Sequence, residues 1–104
     1  MIPDPGEEYA VTDEAVSQTL VYRWYSSREK ELLVEIAYRL PEEQTLDGPV
    51  EYRAVGGMWG TYAEAERTRL LILRDSDVLI LIELFGGEEE ELKAYAQHLA
   101  EANR

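Results

Sequence analysis

Apolar residues are densest between Arg69 and Leu84. Val78, Ile80, Ile82 and Leu84 fall on one side of an extended chain, and Leu79 and Leu81 on the other, with Glu83 at the far end. A strand wetted on one side alternates apolar with polar positions, whereas an apolar run on both sides marks a strand covered on both. Burying six such side chains is worth on the order of 10 kcal/mol, comparable with the net stability of a small domain. Both faces of this segment are therefore predicted to be shielded from water. Leu70–Leu73 supplies a partner strand, and Asp75-Ser76-Asp77 a turn whose short side chains bond nearby backbone amides. The β-branched content, the shortness and the bracketing by Asp-Ser-Asp and Gly86-Gly87 favour strands over a helix.

Period-two alternation recurs upstream. Leu20, Tyr22 and Trp24 alternate with Val21, Arg23 and Tyr25. After the polar link Ser26–Lys30, residues Leu32, Val34, Ile36 and Tyr38 alternate with Leu33, Glu35, Ala37 and Arg39. These two runs predict a hairpin; the competing reading is a helix over 27–40, where Glu29–Leu32 are good helix formers. Pro41 ends the second run, and Glu42–Pro49 is a polar loop. Val50–Val55 and Thr61–Arg67 read as further strands, separated by Gly56-Gly57-Met58-Trp59-Gly60, a bend or bulge.

Downstream of Gly86-Gly87 the period changes. Leu92, Tyr95, Ala96, Leu99 and Ala102 lie on one stripe of a helix over 88–102. Glu88–Glu91 stand at its start, where negative charge suits the helix dipole. The predicted fold is α+β: an antiparallel β-meander of five to six strands over 17–84 with a C-terminal helix packed on one face. Residues 1–13 form a loose lead-in, ordered only if something holds them. One helix covers one face of a sheet, so the second face needs its own cover: the N-terminal segment, a curling of the sheet, or another copy of the chain.

Composition narrows the function classes. At 104 residues the chain is one domain. It has no cysteine, which excludes thiol catalysis, iron–sulfur ligation and disulfides, and one histidine, His98, which cannot hold zinc alone. No metal or cofactor is expected. The net charge of −12 disfavours nucleic acid and anionic membranes as partners. No basic region followed by an apolar core opens the sequence, so no signal peptide is expected. The Gly56–Gly60 run lacks the Lys and Ser/Thr of a phosphate loop. Glu35 and Glu83 lie within strands and form the one carboxylate pair worth weighing for acid–base work, but among 22 acidic residues such a pair is expected without a function.

What remains is binding. The aromatic residues Tyr22, Trp24, Tyr25, Tyr38, Tyr52, Trp59 and Tyr62 all fall in the strand region, and Tyr and Trp suit interfaces because they bury area while keeping a polar tip. We select Trp24, Tyr25, Tyr38, Trp59 and Tyr62 as the candidate binding set; the alternative is that they fill the core. The expectation is a non-enzymatic regulatory or sensor-type domain whose partner is another protein, a small ligand or a second copy of itself. The competing readings are an acidic inhibitor mimicking nucleic acid and a small enzyme with a carboxylate in a cavity.

The order of motifs resembles a known domain. Val55-Gly56-Gly57, a strand through Tyr62, strands at Leu70–Leu73 and Val78–Leu84, and Glu91-Leu92-x-x-Tyr95-Ala96-x-x-Leu99 follow one another as in the uncharacterised domain at the extracytoplasmic C-termini of some bacterial anti-sigma factors and related lipoproteins. The hairpin at Leu20–Tyr38 is similar in position. The resemblance implies a soluble outer domain in an extracytoplasmic setting, without the membrane anchor or the sigma-binding helices, and supplies no catalytic residues. Without it, a cytoplasmic setting is the expectation.

Overall fold

The computed structural model describes residues 2–38, 50–55, 58–75 and 78–102; the side chains of 50–59 and 75 lie outside that description. Seven strands and a helix follow one another: β1 (Ala10–Val16), β2 (Leu20–Ser26), β3 (Glu31–Ala37), β4 (Val50–Val55), β5 (Met58–Ala65), β6 (Thr68–Asp75), β7 (Val78–Phe85) and α1 (Glu89–Ala102). The α+β architecture read from the sequence is the observed one. The strands form one open antiparallel sheet in the order β1-β2-β3-β7-β6-β5-β4. It consists of two meanders, β1–β3 and β4–β7, joined where β3 pairs with β7, with Val34 opposite Ile82.

The central strands are apolar on both sides, and α1 covers one of them. On one face Leu32, Val34 and Ile36 of β3, Ile80, Ile82 and Leu84 of β7, and Leu71 and Leu73 of β6 pack beneath Leu92, Tyr95, Ala96 and Leu99 of α1. The helix stripe is the one its spacing predicts. Gly86 turns the chain from β7 towards α1 at φ +84°, in the left-handed region open to glycine, and a Cβ there would run into the Glu29 carbonyl.

Three local features depart from the sequence expectation. β1 adds a strand inside the stretch expected to be loose. All seven of its residues are exposed, so burial leaves no pattern to read. It is held by backbone pairing to β2, with a register slip between Val11 and Asp13, and by Arg23 Nε donating to Glu14 at 3.0 Å. The β1–β2 turn is closed by Ser17, whose Oγ accepts from the Leu20 amide at 3.1 Å. Next, β5 ends at Ala65 rather than continuing to Arg67, because Glu66 adopts φ +49° and lets Ala65 pair with Thr68. That turn contains no Gly, Asn or Asp to announce it. The loop expected over 42–49, the Gly56-Gly57 part of the bend expected over Gly56–Gly60 and Ser76-Asp77 of the expected turn lie outside the described residues, whereas Met58–Gly60 of that bend pair with β4 as the start of β5.

The third departure is the N-terminal segment, and it corrects one proposed role. Something does hold these residues, but against the helix side rather than the second face. Ile2 is buried in the core. The Pro3 carbonyl accepts a 2.7 Å hydrogen bond from the Tyr95 hydroxyl, and Asp4 Oδ1 accepts one of 3.2 Å from Tyr25. Arg23 reaches the Ile2 carbonyl at 3.4 Å. The second face thus loses one of its three candidate covers.

Candidate functional site

The five candidate binding residues divide between the two sheet faces. Tyr25 and Tyr62 belong to the helix side and are 1% and 4% exposed. Tyr25 tethers the N-terminal segment. The Tyr62 hydroxyl accepts from Arg69 Nη1 at 2.9 Å and donates to Glu64 at 2.8 Å. Burial pushes both phenols above their usual range. Trp24 is half-buried on the opposite face, beside Leu33 of β3. Tyr38 follows β3, is exposed, and is anchored through its amide to the Thr19 carbonyl at 2.8 Å. Trp59 stands opposite Ala54 in the β4–β5 ladder, with its side chain outside the description.

The face away from α1 has an order of its own. Strand registers line up Trp24, Leu33, Glu83 and Leu70 in one row across β2, β3, β7 and β6. The next row runs Tyr22, Glu35, Leu81 and Ile72 across the same four strands. Beyond it, Leu20, Ala37 and Leu79 continue the surface. Leu33, Ile72 and Leu79 are buried, whereas Trp24, Tyr22, Leu70 and Leu81 are half-buried. No described helix or strand packs on this face. Alternation along β2 separates Tyr22 and Trp24 from Arg23 and Tyr25, so the sequence did indicate which aromatics share a face. It carried no signal of which face the helix takes.

Glu35 and Glu83 both lie on this face, on adjacent strands and diagonally related: Glu35 is opposite Leu81 and Glu83 opposite Leu33. Both are half-buried among leucines and neither forms an ion pair among the described residues. At the edge of the face the Tyr22 hydroxyl donates to Asp13 at 3.1 Å, which raises the Tyr22 pKa.

A concavity arises on the helix side, where sequence reasoning placed none. Residues 4–9 run beside α1 and leave a cleft of about 350 Å³ between them. Leu32 and Leu84 form its floor, and Pro5, Tyr9, Ala94 and Tyr95 its walls. Asp4, Glu8, Glu91 and His98 surround the opening. Glu91 is paired with Lys30, whose Nζ lies 2.8 and 2.9 Å from its two oxygens; that bond holds the Lys30 pKa above its usual value. Burial pushes the Tyr95 phenol well above the ordinary range, so it stays a neutral donor to Pro3. The residues forming this cleft are some ninety positions apart, as the Tyr95–Pro3 contact shows (a separation of 92). Only the paired prolines Pro3 and Pro5, which stiffen an extended segment, hinted at it.

Among the described residues no group of three or more His, Asp or Glu side chains is arranged to hold a metal ion, and no helix is long and apolar enough to cross a membrane. No family model, no curated protein and no solved structure matches this chain.

Proposed function

We propose that this protein is a non-catalytic binding domain that works through the sheet face opposite α1, with Trp24 at the centre of the contact and a protein or a second copy as partner. The observation that carries this reading is the continuity of that face. Trp24, Leu33, Leu70, Leu79, Leu81 and Ile72 adjoin one another across β2, β3, β7 and β6, with no described helix or strand over them. Leu33, Ile72 and Leu79 are buried beneath this surface, and half-buried Trp24, Leu70 and Leu81 supply its accessible apolar area. Contiguous accessible apolar area bordered by polar groups is how soluble proteins present interaction sites. Tryptophan and tyrosine within it are the residue types that dominate contact energies. Leu20, the exposed first residue of β2, extends the apolar surface towards the rim.

Of the five residues selected from sequence, this reading retains Trp24, keeps Trp59 by its place in β5, leaves Tyr38 outside the face because it continues the Leu32–Val34–Ile36 side of β3, and assigns Tyr25 and Tyr62 to the core. It also accommodates the extracytoplasmic setting that the family resemblance implies, since a partner-binding outer domain needs no catalytic residues.

The test combines solution mass with ligand selection. Light scattering across a concentration series asks whether the chain self-associates, and panning a displayed peptide library on the intact domain asks whether another chain binds. Trp24→Ser and Leu81→Ser are expected to abolish whichever association is found, with the circular dichroism spectrum unchanged. A monomer at all concentrations that selects no peptide sensitive to these substitutions would overturn the reading.

A further inference from the structure

The cleft between residues 4–9 and α1 has the make-up of a small-ligand site, and it lies on the opposite side of the sheet from the binding face proposed above. At about 350 Å³ it is at the lower end of the volumes that hold small molecules. Its floor, Leu32 and Leu84, is 2% exposed at both positions. Two tyrosine side chains, Tyr9 and Tyr95, line it from opposite elements, one from the N-terminal segment and one from the helix.

The charge at its mouth is one-sided. Asp4, Glu8 and Glu91 all border the opening, and the one lysine nearby, Lys30, is committed to Glu91. Asp4 accepts a hydrogen bond from the Tyr25 hydroxyl, which itself accepts from Arg23 at 3.1 Å, and neither Asp4 nor Glu8 forms an ion pair among the described residues. Two carboxylates thus stand at the edge of an apolar, aromatic hollow with no ion-pair partner among the described residues, although the charge of Glu8 reaches Lys30 and helps to raise its pKa. A hard metal ion gains nothing from such a floor, because it needs oxygen ligands around it. A neutral apolar molecule would leave the carboxylates unused. An ammonium group on an apolar body uses every part: its body covers the leucines, its charge meets Asp4 and Glu8, and the tyrosine rings add cation–π attraction. The net charge of −12 further concentrates cations near the surface.

We infer that this cleft binds a small organic cation, a primary or quaternary amine carrying an apolar or single-ring body. The inference does not depend on the outer-face reading, and either can fail alone.

Phenethylammonium, tetramethylammonium and the uncharged isostere phenethyl alcohol are titrated into the intact protein and followed by amide chemical-shift changes. Phenethylammonium is expected to bind about tenfold more tightly than the alcohol. Its shifts are expected to centre on Tyr9, Ala94, Tyr95 and His98. Glu8→Gln is expected to weaken the ammonium several-fold and leave the alcohol unchanged. Tyr9→Ala should weaken both ammonium ions, with the thermal midpoint reporting that the fold persists. Equal binding of amine and alcohol, shifts confined to the outer face, or no saturable shift with either ammonium ion would overturn the inference.

Discussion

The two faces of the β3–β7–β6 centre are built from alternate residues of the same strands, yet they end in different environments. On the helix side Leu32, Val34, Ile82, Leu71 and Leu73 are 2% exposed or less, beneath a helix and a tethered N-terminal segment. On the other side Leu33 and Ile72 keep 8% and 6% exposure, and half-buried Leu70, Leu81 and Trp24 surround them together with two glutamates that form no ion pair among the described residues. An apolar pattern therefore predicts that a face is removed from water, but not what removes it. Where the covering element belongs to the chain, the face is a core that admits no charge. Where no described helix or strand supplies the cover, two carboxylates stand among leucines. The comparison makes four predictions, graded by size.

The largest effect separates the faces directly. Leu99 and Ile82 are fully buried at the helix–sheet contact, and truncating either to alanine should cost about 2–5 kcal/mol, because the lost transfer energy is compounded by a cavity. Leu70→Ala or Leu81→Ala on the half-buried face should cost clearly less. Urea denaturation of the four variants measures the difference, and equal losses on both faces would dissolve the distinction.

Next is the hinge that delivers α1 to its side. Gly86→Ala must place a Cβ against the Glu29 carbonyl at a φ of +84°. Strain in a left-handed position costs about 1–3 kcal/mol, and a backbone obstruction cannot be relieved by a rotamer change. The expected outcome is a destabilised protein with helix content partly lost on mild heating. If Gly86→Ala matched the wild type, the turn would not be what seats the helix.

The tether is smaller again and has a pH signature. Tyr95→Phe removes the donor to Pro3 and should cost about 1 kcal/mol at neutral pH, while loosening residues 2–9 as seen by amide exchange. Tyr95, Tyr25 and Tyr62 all have phenol pKa values raised from 10.0, chiefly by burial. A group whose folded pKa exceeds its unfolded value contributes fully below the unfolded value, and its contribution is lost as pH rises through the folded one. Stability should therefore hold up to about pH 10 and fall above it, and less steeply in Tyr95→Phe. A wild-type curve flat from pH 9 to 12 would contradict the buried-phenol account.

The parts legible in the sequence are those in which burial imposes a pattern, either a period or an unbroken apolar run. β7 carries a nearly unbroken apolar run and α1 its apolar residues at spacings of three to four, so both were readable, as was the α+β class. β1 was not, since a strand with every residue exposed has nothing to alternate. Nor was the turn at Glu66, where pairing of Ala65 with Thr68 imposes a left-handed conformation on a residue with no propensity for it. For the binding set, adjacency misled: Trp24 and Tyr25 are neighbours in sequence and therefore point to opposite faces. The cleft was hidden for a different reason, because proximity of Asp4 and Glu8 to Glu91 is created by tertiary packing alone.

The smallest predicted effect has the opposite sign. Glu35 and Glu83 sit diagonally across β3 and β7, half-buried among Leu33, Leu81 and Leu70, with no cation beside them among the described residues. Like charges on neighbouring strands repel, and carboxylates ringed by apolar groups are incompletely hydrated. Replacing Glu83 with leucine extends the apolar row and removes one of the two charges, so the variant should be more stable by a few tenths of a kcal/mol to about 1 kcal/mol, the usual return for relieving a functional compromise. The same substitution should disturb any partner found for the outer face, since a charge retained against stability is one the contact uses. Thermal midpoint and peptide binding are read on the same samples. A Glu83→Leu protein that is destabilised would show the carboxylate to be structurally satisfied, and the outer face would then be a finished surface rather than one awaiting a partner.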